Sequence, residues 1–322
     1  MGFDVVGIGG LCLDLIAGTT RIPRTDMMTP LLYTTCQGGG KVPTALVALS
    51  RLGGSSALFS TVGDDRAGQF CLKELADSGV NTDYIQVLRG VATNLTFGIS
   101  ETETGGRSFI GKYDMPGITV DQLDQAVIER AKYLHIWQFG MAERQAIQWV
   151  HRAGGLVVCD ADRYSPELEA GIGLTDVFIC SEFFFRGMYG DDAVENGLEE
   201  KLRDMAARGP RIAVVTLGAR GYAGVDRAVF FTGEAFSNIA VVDTTGAGDV
   251  FHGAFLYGLL RGWDARTTAR FAAGVSAVKC TVLGGRAGIP DFATAQHFLD
   301  SGEIRHDIID QWIAYYKAEA IF

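Results

Sequence analysis

Short apolar runs alternate along the chain with longer stretches in which apolar positions recur every three or four residues. The short runs predict β-strands and the longer stretches predict amphipathic helices. We predict strands at 4–8, 57–62, 133–137, 156–159, 177–180, 212–216 and 222–225. We predict helices at 43–52, 66–78, 121–131, 143–152, 195–208, 249–261, 265–283 and 303–317. This alternation predicts an α/β fold in which helices cover both faces of a mostly parallel sheet.

Two segments, about 11–35 and 91–113, break the alternation. The second contains two short alternating pieces, 93–100 and 105–110, separated by polar residues. Such pieces can pair into a small sheet that projects from the core as a lid. Because the chain has no linker, low-complexity tract or internal repeat, we predict a single domain, 1–322, with the lid inserted in its N-terminal half.

Composition disfavours several classes of partner. The formal net charge is −10 and no basic block occurs, so we expect neither nucleic acid nor an anionic membrane to bind. No apolar run has the length of a membrane span, and the chain begins with a strand pattern rather than a cleavable signal. Six scattered cysteines without C-x-x-C spacing predict reduced thiols and a cytoplasmic location.

The segment 243–249, with the sequence Asp-Thr-Thr-Gly-Ala-Gly-Asp, is the most informative part of the chain. It predicts a glycine turn that delivers Asp249 to the first turn of a helix. Unpaired N–H groups at the positive end of a helix dipole form an anion site, and phosphate is its usual ligand. An aspartate there would repel phosphate unless it accepts a proton from a neighbouring hydroxyl, as in a kinase. Ordinary stabilisation of the helix start is the alternative. We interpret His252 as a packing or capping residue.

Glycine-rich segments supply further candidates. The segment 38–41 (Gly-Gly-Gly-Lys) precedes a helix and would let a ligand approach the backbone closely. Asp14 follows the first strand, where it could bind sugar hydroxyls or cap a turn. The segment 216–221 follows a strand and could contact phosphates or form a plain hairpin turn. The segment 283–288 could wall a nucleobase or end a helix.

Five motifs follow one another along the chain: G-G-G-K, G-D-D-x-x-G, T-L-G-x-x-G, D-T-T-G-A-G-D and G-R-x-G-I-P. In this order they closely resemble the motifs of the ribokinase-like (PfkB) carbohydrate kinases. The resemblance spans roughly residues 4–291. It implies a ribokinase-like three-layer α/β/α fold with a small β lid. It also implies ATP and Mg²⁺ as cofactors and a sugar as the phosphoryl acceptor.

The resemblance further implies roles for individual residues. Asp249 matches the catalytic base of the family, and Gly246, Ala247 and Gly248 match its anion hole. The family's sugar site matches Asp14, Gly39, Gly40 and Lys41. Further candidates for the sugar site are Thr44 and Arg107. Those for the ATP site are Ser181, Thr216, Gly218, Gly221 and Gly285. Asp243 and Thr245 match residues through which some members bind a monovalent cation such as K⁺.

The chain also departs from the family pattern. Thr44 stands where many members carry an asparagine that contacts the substrate. Ser181 and Phe184 stand where many carry the asparagine and glutamate of N-x-x-E, which handle Mg²⁺ and phosphate. Mg²⁺ would then depend more on water and ATP oxygens. Asp160 and Asp162 resemble the D-x-N stretch of the family imperfectly.

The acceptor stays open at this point. A ketose, an aldose or a sugar acid fits Asp14 as a hydroxyl binder. A phosphosugar would need a basic clamp, for which the candidates are Lys41, Arg107 and Lys112. A nucleoside would need a stacking platform, for which the candidates are Phe97, Phe109 and Tyr113. A sugar- or nucleotide-sensing protein without turnover is the alternative outside the enzymes. Apolar alternation at 95–99 and 109–113 predicts a homodimer formed through the lid.

Overall fold

The computed structural model describes residues 2–103 and 106–319. Its strands are β1 (Val5–Ile8), β2 (Cys12–Thr19), β3 (Leu31–Gly39), β4 (Ser56–Gly63), β5 (Val80–Asn81), β6 (Ile85–Leu88), β7 (Asn94–Glu101), β8 (Arg107–Lys112), β9 (Tyr133–Ile136), β10 (Leu156–Ala161), β11 (Val177–Ser181), β12 (Ile212–Thr216), β13 (Tyr222–Asp226) and β14 (Val229–Gly233). Its α-helices are α1 (Lys41–Arg51), α2 (Arg66–Asp77), α3 (Gln125–Ile128), α4 (Met141–Arg152), α5 (Pro166–Gly171), α6 (Glu182–Tyr189), α7 (Leu198–Ala207), α8 (Ala247–Leu260), α9 (Ala265–Lys279), α10 (Phe292–Ser301) and α11 (Asp307–Ala318).

The larger sheet has the strand order β14-β13-β12-β11-β10-β9-β1-β4-β5, and β6 pairs with the far end of β4. Its strands pair in parallel except at one edge, where β12, β13 and β14 are antiparallel neighbours. The predicted mostly parallel sheet is confirmed. Strand β14 was not predicted, because its short run lies close to a polar turn.

Helices cover both faces of this sheet. Val5 packs into one apolar core together with residues of α1, α8 and α9. Its neighbour Val6 packs into a second core together with residues of α4, α6 and α7. Successive side chains of a strand point to opposite faces, so a strand buried on both faces needs apolar residues at every position. The sequence of β1 meets that requirement.

A second, four-stranded sheet has the order β3-β2-β7-β8 and is called the small sheet below. Strand β2 pairs antiparallel with β3 and parallel with β7. The strands arise from the two segments in which the sequence predicts a separate sheet, although β3 continues to Gly39. The predicted piece 105–110 begins at Gly105, which lies outside the described residues. The action of this sheet as a lid stays a prediction.

Some predicted helix bounds are wrong. The helix predicted at 121–131 is a 3-10 turn, Val120–Gln122, followed by the short α3. The Asp124 carboxylate accepts a hydrogen bond from the backbone N–H of Val127 and so starts a new helix within the predicted one. The helix predicted at 265–283 ends at Lys279, and the chain then forms a loop. Among the described residues, no helix is long and apolar enough to cross a membrane.

The helix predicted at 303–317 is α11, and the preceding α10 was not predicted. Asp291 caps the start of α10 by accepting a hydrogen bond from the backbone N–H of Thr294. Gly302, with φ +78°, ends it. Helices α5 and α6 were also missed, because both are too short to show a clear apolar periodicity.

Candidate active site

The start of α8 forms a turn with unpaired backbone donors. Gly246 precedes the helix with φ +71°, a conformation that glycine adopts without steric cost. The N–H of Ala247 donates to the carbonyl oxygen of Thr244, and that of Val250 donates to the carbonyl oxygen of Gly246. The N–H groups of Gly248 and Asp249 have no acceptor among the described residues. Two free donors at a helix N-terminus make an anion site.

The turn before α8 is held by side chains from other elements. The Asp243 carboxylate accepts hydrogen bonds from the N–H and hydroxyl of Thr245 (2.9 and 2.8 Å) and from the N–H of Gly284 (2.8 Å). The Lys279 ammonium donates to the carbonyl oxygen of Asp243 at 2.9 Å and to that of Thr245. A Cβ at Gly246 would lie 3.0 Å from Gly285, which therefore packs against the anion site.

Asp249 lies in the first turn of α8 and is partly exposed. Loss of surrounding water raises the pKa of its carboxyl to about 6, and the negative charge of Asp160 adds to the rise. The charges of Lys41 and His252 oppose it. At neutral pH the carboxylate is therefore mostly ionised and can still accept a proton from a hydroxyl.

Asp160 and His252 are in buried contact beside Asp249. The Nε2 of His252 lies 3.3 Å from an Asp160 oxygen at the end of β10. Burial raises the pKa of Asp160, but His252, Lys41 and His135 together outweigh that effect and lower it. His252 was interpreted as a packing or capping residue, and the structure adds its contact with Asp160. Its position three residues after Asp249, on the same face of a helix, was the available signal.

Lys41 begins α1 and reaches the same region. Gly40 precedes it with φ +98°, and a Cβ there would lie 2.2 Å from the carbonyl oxygen of Gly10. The Lys41 ammonium lies 3.2 Å from an Asp162 oxygen and 5.3 Å from the ring centroid of Trp137. Burial lowers the pKa of Lys41, but Asp160, Asp162 and Asp249 outweigh that effect and raise it. Lys41 therefore stays positively charged.

Close packing of α1 on α8 brings Lys41 and Asp249 together. A Cβ at Gly253 would lie 2.1 Å from the carbonyl oxygen of Ala45, so the two helices touch backbone to backbone. Lys41 and Asp249 each lie about one helical turn before these two positions. The N-termini of α1 and α8 therefore lie close enough for the charge of Asp249 to act on Lys41.

Asp14 lies within β2 and does not cap a turn. It is partly exposed, and its Oδ1 accepts a hydrogen bond from the thiol of Cys12 at 3.2 Å. Burial raises the pKa of the Asp14 carboxyl. A Cβ at Gly39 would lie 2.3 Å from an Asp14 oxygen, so the glycine leaves room for the carboxylate. The structure thus brings these two candidates together.

Thr44 lies behind the glycine segment, next to Arg286. Its hydroxyl is buried and accepts a hydrogen bond from the Arg286 Nε at 3.1 Å. Arg286 is fully buried, donates to the carbonyl oxygen of Gly39 at 2.9 Å and pairs with Glu74 at 2.5 Å. Arg286 was not among the predicted site residues, although the G-R-x-G motif contains it. Arg107, by contrast, is exposed on β8, with its guanidinium 5.9 Å from the ring centroid of Phe109.

Four of the five ATP candidates lie at the ends of β11 and β12. Ser181 and Thr216 are register partners in the parallel pair. Gly218 (φ +58°) and Gly221 (φ +87°) form the following turn, and a Cβ at Gly218 would meet no atom within 4 Å. This turn therefore presents open backbone at the carboxyl ends of parallel strands, where ligands of α/β proteins bind. Gly285, the fifth candidate, is near the anion site instead.

The hydroxyl of Ser181 is already engaged. It accepts hydrogen bonds from the N–H groups of Phe183 and Phe184 at 3.0 and 3.2 Å, which makes it the N-cap of α6. It also donates to the carbonyl oxygen of Asp162. Phe184 is fully buried in the core. The adjacent acid, Glu182, pairs with Arg220 at 2.5 Å.

The described residues contain no group of three or more acidic, histidine or cysteine side chains that could hold a metal. The acids nearest the site each have a partner within the protein: Asp160 contacts His252, Asp162 pairs with Lys41, and Glu182 pairs with two arginines. This arrangement suits Mg²⁺ that arrives on nucleotide phosphates and keeps most of its waters. All six cysteines lie in the described part of the chain, are buried and form no disulfide.

Comparison with known proteins identifies the class. The pfkB family of carbohydrate kinases matches residues 3–291, and the chain belongs to that family. A 5-dehydro-2-deoxygluconokinase of Geobacillus kaustophilus is 24% identical, over 92% of this chain and 93% of its own length. An ATP-dependent 6-phosphofructokinase of Thermoanaerobacterium thermosaccharolyticum is 26% identical, over 94% and 96%. The structure of Arabidopsis thaliana ribokinase complexed with ribose and ATP has a TM-score of 0.79 and 21% identity, over 93% and 99%.

These comparisons confirm the ribokinase-like fold predicted from the motifs. They also confirm that the chain is an enzyme. It is a sugar kinase, which transfers a phosphoryl group to an alcohol group.

Proposed function

We propose that this protein is an ATP-dependent kinase that phosphorylates a hydroxyl group of a sugar acid or related sugar, with Asp249 as the general base. One observation carries the proposal. The Asp249 carboxylate lies on the same helical turn as two unpaired backbone N–H groups. A phosphoryl group bound by these donors would lie beside the base, so a hydroxyl deprotonated by Asp249 could attack the phosphorus directly.

The chain's own residues account for charge and protons during transfer. The unpaired N–H groups of Gly248 and Asp249 would stabilise the equatorial phosphoryl oxygens, while Gly246 and Ala247 form the turn that presents them. The Asp249 carboxylate would take the proton of the attacking hydroxyl. Lys41 would offset negative charge near the base, as its effect on the pKa of Asp249 indicates. Mg²⁺, when bound to the nucleotide, supplies neutralisation of phosphate charge.

We assign ATP to the turn that contains Gly218 and Gly221, next to Thr216. The open backbone of that turn supports the assignment. Ser181 would act indirectly, since its hydroxyl caps α6. Gly285 would shape the anion site through its contact with Gly246.

For the acceptor, we assign hydroxyl binding to Asp14, in the space that Gly39 and Gly40 leave beside Lys41. Thr44 would act through Arg286, which holds the carbonyl oxygen of Gly39. A sugar acid is favoured because a 5-dehydro-2-deoxygluconokinase is among the relatives and because Lys41 could pair with a carboxylate. The 6-phosphofructokinase relative favours a phosphosugar as the second candidate, with Arg107 as an added cation.

The aromatic candidates for stacking on a nucleoside lie on both faces of the small sheet. In the small sheet, Asp14 is the register partner of Thr96, whereas Phe97 is the partner of Leu15. Because side chains alternate along strands, Phe97 projects from the face opposite Asp14. It therefore does not offer a stacking surface on the proposed sugar side. Phe109, the register partner of Gly98, and Tyr113, whose hydroxyl lies 2.8 Å from that of Thr96, are on the same face as Asp14 and keep a nucleoside as a further candidate.

We also propose that the small sheet closes over the sugar as a lid and pairs with a second copy. The face that carries Phe97 borders a groove of about 1230 Å³ lined with apolar side chains, including Leu15, Leu95 and Ile99. Burial of this groove against a second small sheet would remove that apolar surface from water. Replacement of Ile99 by Glu should give a monomer by light scattering, while a wild-type monomer would contradict the dimer.

An acceptor panel tests the proposal. Sugar acids, ketoses, aldoses, phosphosugars and nucleosides are each incubated with ATP and Mg²⁺, and ADP release is measured for wild type and for Asp249→Asn. We expect the highest kcat/KM with a sugar acid and loss of turnover in the variant. No ADP release above the variant with any acceptor would favour a sensing protein and contradict the proposed function.

A further inference from the structure

The two residues predicted to bind a monovalent cation already contact a positive charge of the protein. Asp243 and Thr245 are buried in the turn before the anion site. The ammonium group of Lys279, the last residue of α9, donates to the carbonyl oxygen of Asp243 at 2.9 Å and to the carbonyl oxygen of Thr245. The Lys279 side chain is 0% exposed. The position between these carbonyl groups is therefore occupied, and the residues do not fit an added K⁺.

Lys279 is held by carbonyl oxygens rather than by a carboxylate. Both carboxylate oxygens of Asp243 accept hydrogen bonds from other donors, the N–H groups of Thr245 and Gly284. Among the described residues, no acidic group lies within ion-pair distance of the ammonium. Burial lowers the pKa of Lys279, whereas the two carbonyl acceptors and the nearby charge of Asp243 favour its protonated form. An ammonium group surrounded by carbonyl dipoles has the chemistry of a bound alkali cation.

A second contact comes from the same face of α9. Ser276 lies three residues before Lys279, a spacing that puts both on one side of a helix. Its hydroxyl donates to the carbonyl oxygen of Ala247, inside the anion site. One helix face therefore fixes three carbonyl groups of the turn, those of Asp243, Thr245 and Ala247. The Thr245 carbonyl shares a peptide plane with the Gly246 N–H, so fixing one orients the other.

We propose that the ammonium of Lys279 takes the place of the monovalent cation, so that this kinase works without K⁺. Lys279 is a positioning residue: it holds the turn whose N–H groups face the transferred phosphoryl group and adds a fixed positive charge behind them. This inference rests on the proposed function, because it assigns the turn to phosphoryl binding.

The first test needs no variant. Steady-state kcat of the wild-type enzyme is measured with saturating ATP and acceptor in KCl, NH₄Cl and choline chloride at equal ionic strength. We expect equal values within about twofold, since the charge is built into the chain. A kcat several times higher in KCl than in choline chloride would overturn the proposal, because an ion would then be needed.

The second test opens the position to an ion. Lys279→Ala removes the ammonium and leaves space between the two carbonyl groups. In choline chloride its kcat should fall by about tenfold to a hundredfold, and KCl or NH₄Cl should restore much of the loss. Lys279→Met fills the space without charge and should lose activity without restoration. Lys73→Ala is the control, because Lys73 is exposed and pairs with Asp77 at the surface.

The proposal would be contradicted if Lys279→Ala had the same kcat as the wild type in choline chloride. It would also be contradicted if neither KCl nor NH₄Cl restored the activity of this variant.

Thermal unfolding provides a readout independent of turnover. KCl should raise the unfolding midpoint of Lys279→Ala relative to choline chloride, with no such difference in wild type, since binding to the native state stabilises it. Equal shifts in both proteins would overturn the assignment. If the wild type phosphorylates no acceptor, the proposed function is wrong. The effect of KCl on the unfolding midpoint would still test whether Lys279 occupies the cation position. If Lys279→Ala does not fold, the wild-type salt comparison decides.

Discussion

The Nε2 of His252 lies 3.3 Å from an oxygen of Asp160, across the interface between α8 and the end of β10. Both side chains are buried, 4% and 5% exposed. The pair keeps a carboxylate close to Asp249, whose pKa is raised by burial and then by the charge of Asp160. The protonation of the proposed base is thus set by neighbours on three separate elements, α1, α8 and β10.

Asp160→Asn should lower the pKa of Asp249. After burial, repulsion from the Asp160 charge is the next largest cause of the raised pKa of Asp249. The substitution removes this repulsion, and Asn keeps an oxygen for His252. The base would then stay ionised to lower pH. The acid limb of kcat/KM, measured from about pH 5 to about pH 8, should move to lower pH. An unchanged limb, or one moved to higher pH, would show that Asp160 does not act on the base.

Lys41→Met should move the same limb in the opposite direction. The Lys41 charge lowers the pKa of Asp249, so its removal raises that pKa, and activity should be lost at higher pH as the solution is acidified. The pH profile of kcat/KM again provides the measurement. Lys73→Met serves as the matched control, because Lys73 is exposed. Identical midpoints in Lys41→Met and wild type would place Lys41 outside the charge network.

Gly253→Ala should separate α1 from α8. The added methyl group would lie 2.1 Å from the carbonyl oxygen of Ala45, which is backbone and cannot rotate away. Overpacking of this kind costs about 1–3 kcal/mol, and it should also lower kcat by moving Lys41 from Asp249. Denaturant unfolding and steady-state kinetics measure the two effects. Gly10→Ala is the control, because a Cβ at Gly10 meets no atom within 4 Å; equal stability of the two variants would refute the packing argument.

Arg286→Met should destabilise the fold strongly. The substitution leaves Glu74, which is 0% exposed, without its ion-pair partner and removes the donor to the carbonyl oxygen of Gly39. Breaking a buried pair costs about 3–5 kcal/mol. The free energy of unfolding in denaturant measures the loss, and the double variant with Glu74→Gln should recover part of it. A loss typical of an exposed ion pair would contradict the structural role.

Local sequence patterns predicted those elements whose formation depends on residues close together in the sequence. The apolar run at 4–8 predicted β1, and the glycines before Asp249 predicted the start of α8. The break inside 121–131 was missed because one capping contact, from Asp124 to the N–H of Val127, outweighs a continuous apolar pattern. The end of α9 at Lys279 was missed for a related reason: the following loop is fixed by the bond from the Gly284 N–H to Asp243.

Contacts between distant residues could not be predicted in the same way. Arg286 meets Thr44 and Gly39 from the opposite end of the chain, and Lys279 meets Thr245 from the far end of a neighbouring helix. Burial of these cations becomes evident only when the helices are packed. The motifs therefore indicated which residues matter, whereas the charges that support them required the three-dimensional structure.

Asp249→Asn tests the central claim most directly. The substitution keeps the size and position of the side chain but removes its ability to accept a proton. With the best acceptor from the panel, kcat should fall by about 10²–10⁴-fold, while ATP binding measured by calorimetry stays at least as tight as in wild type. Turnover near the wild-type rate, with ATP bound normally, would contradict the assignment of Asp249 as the base.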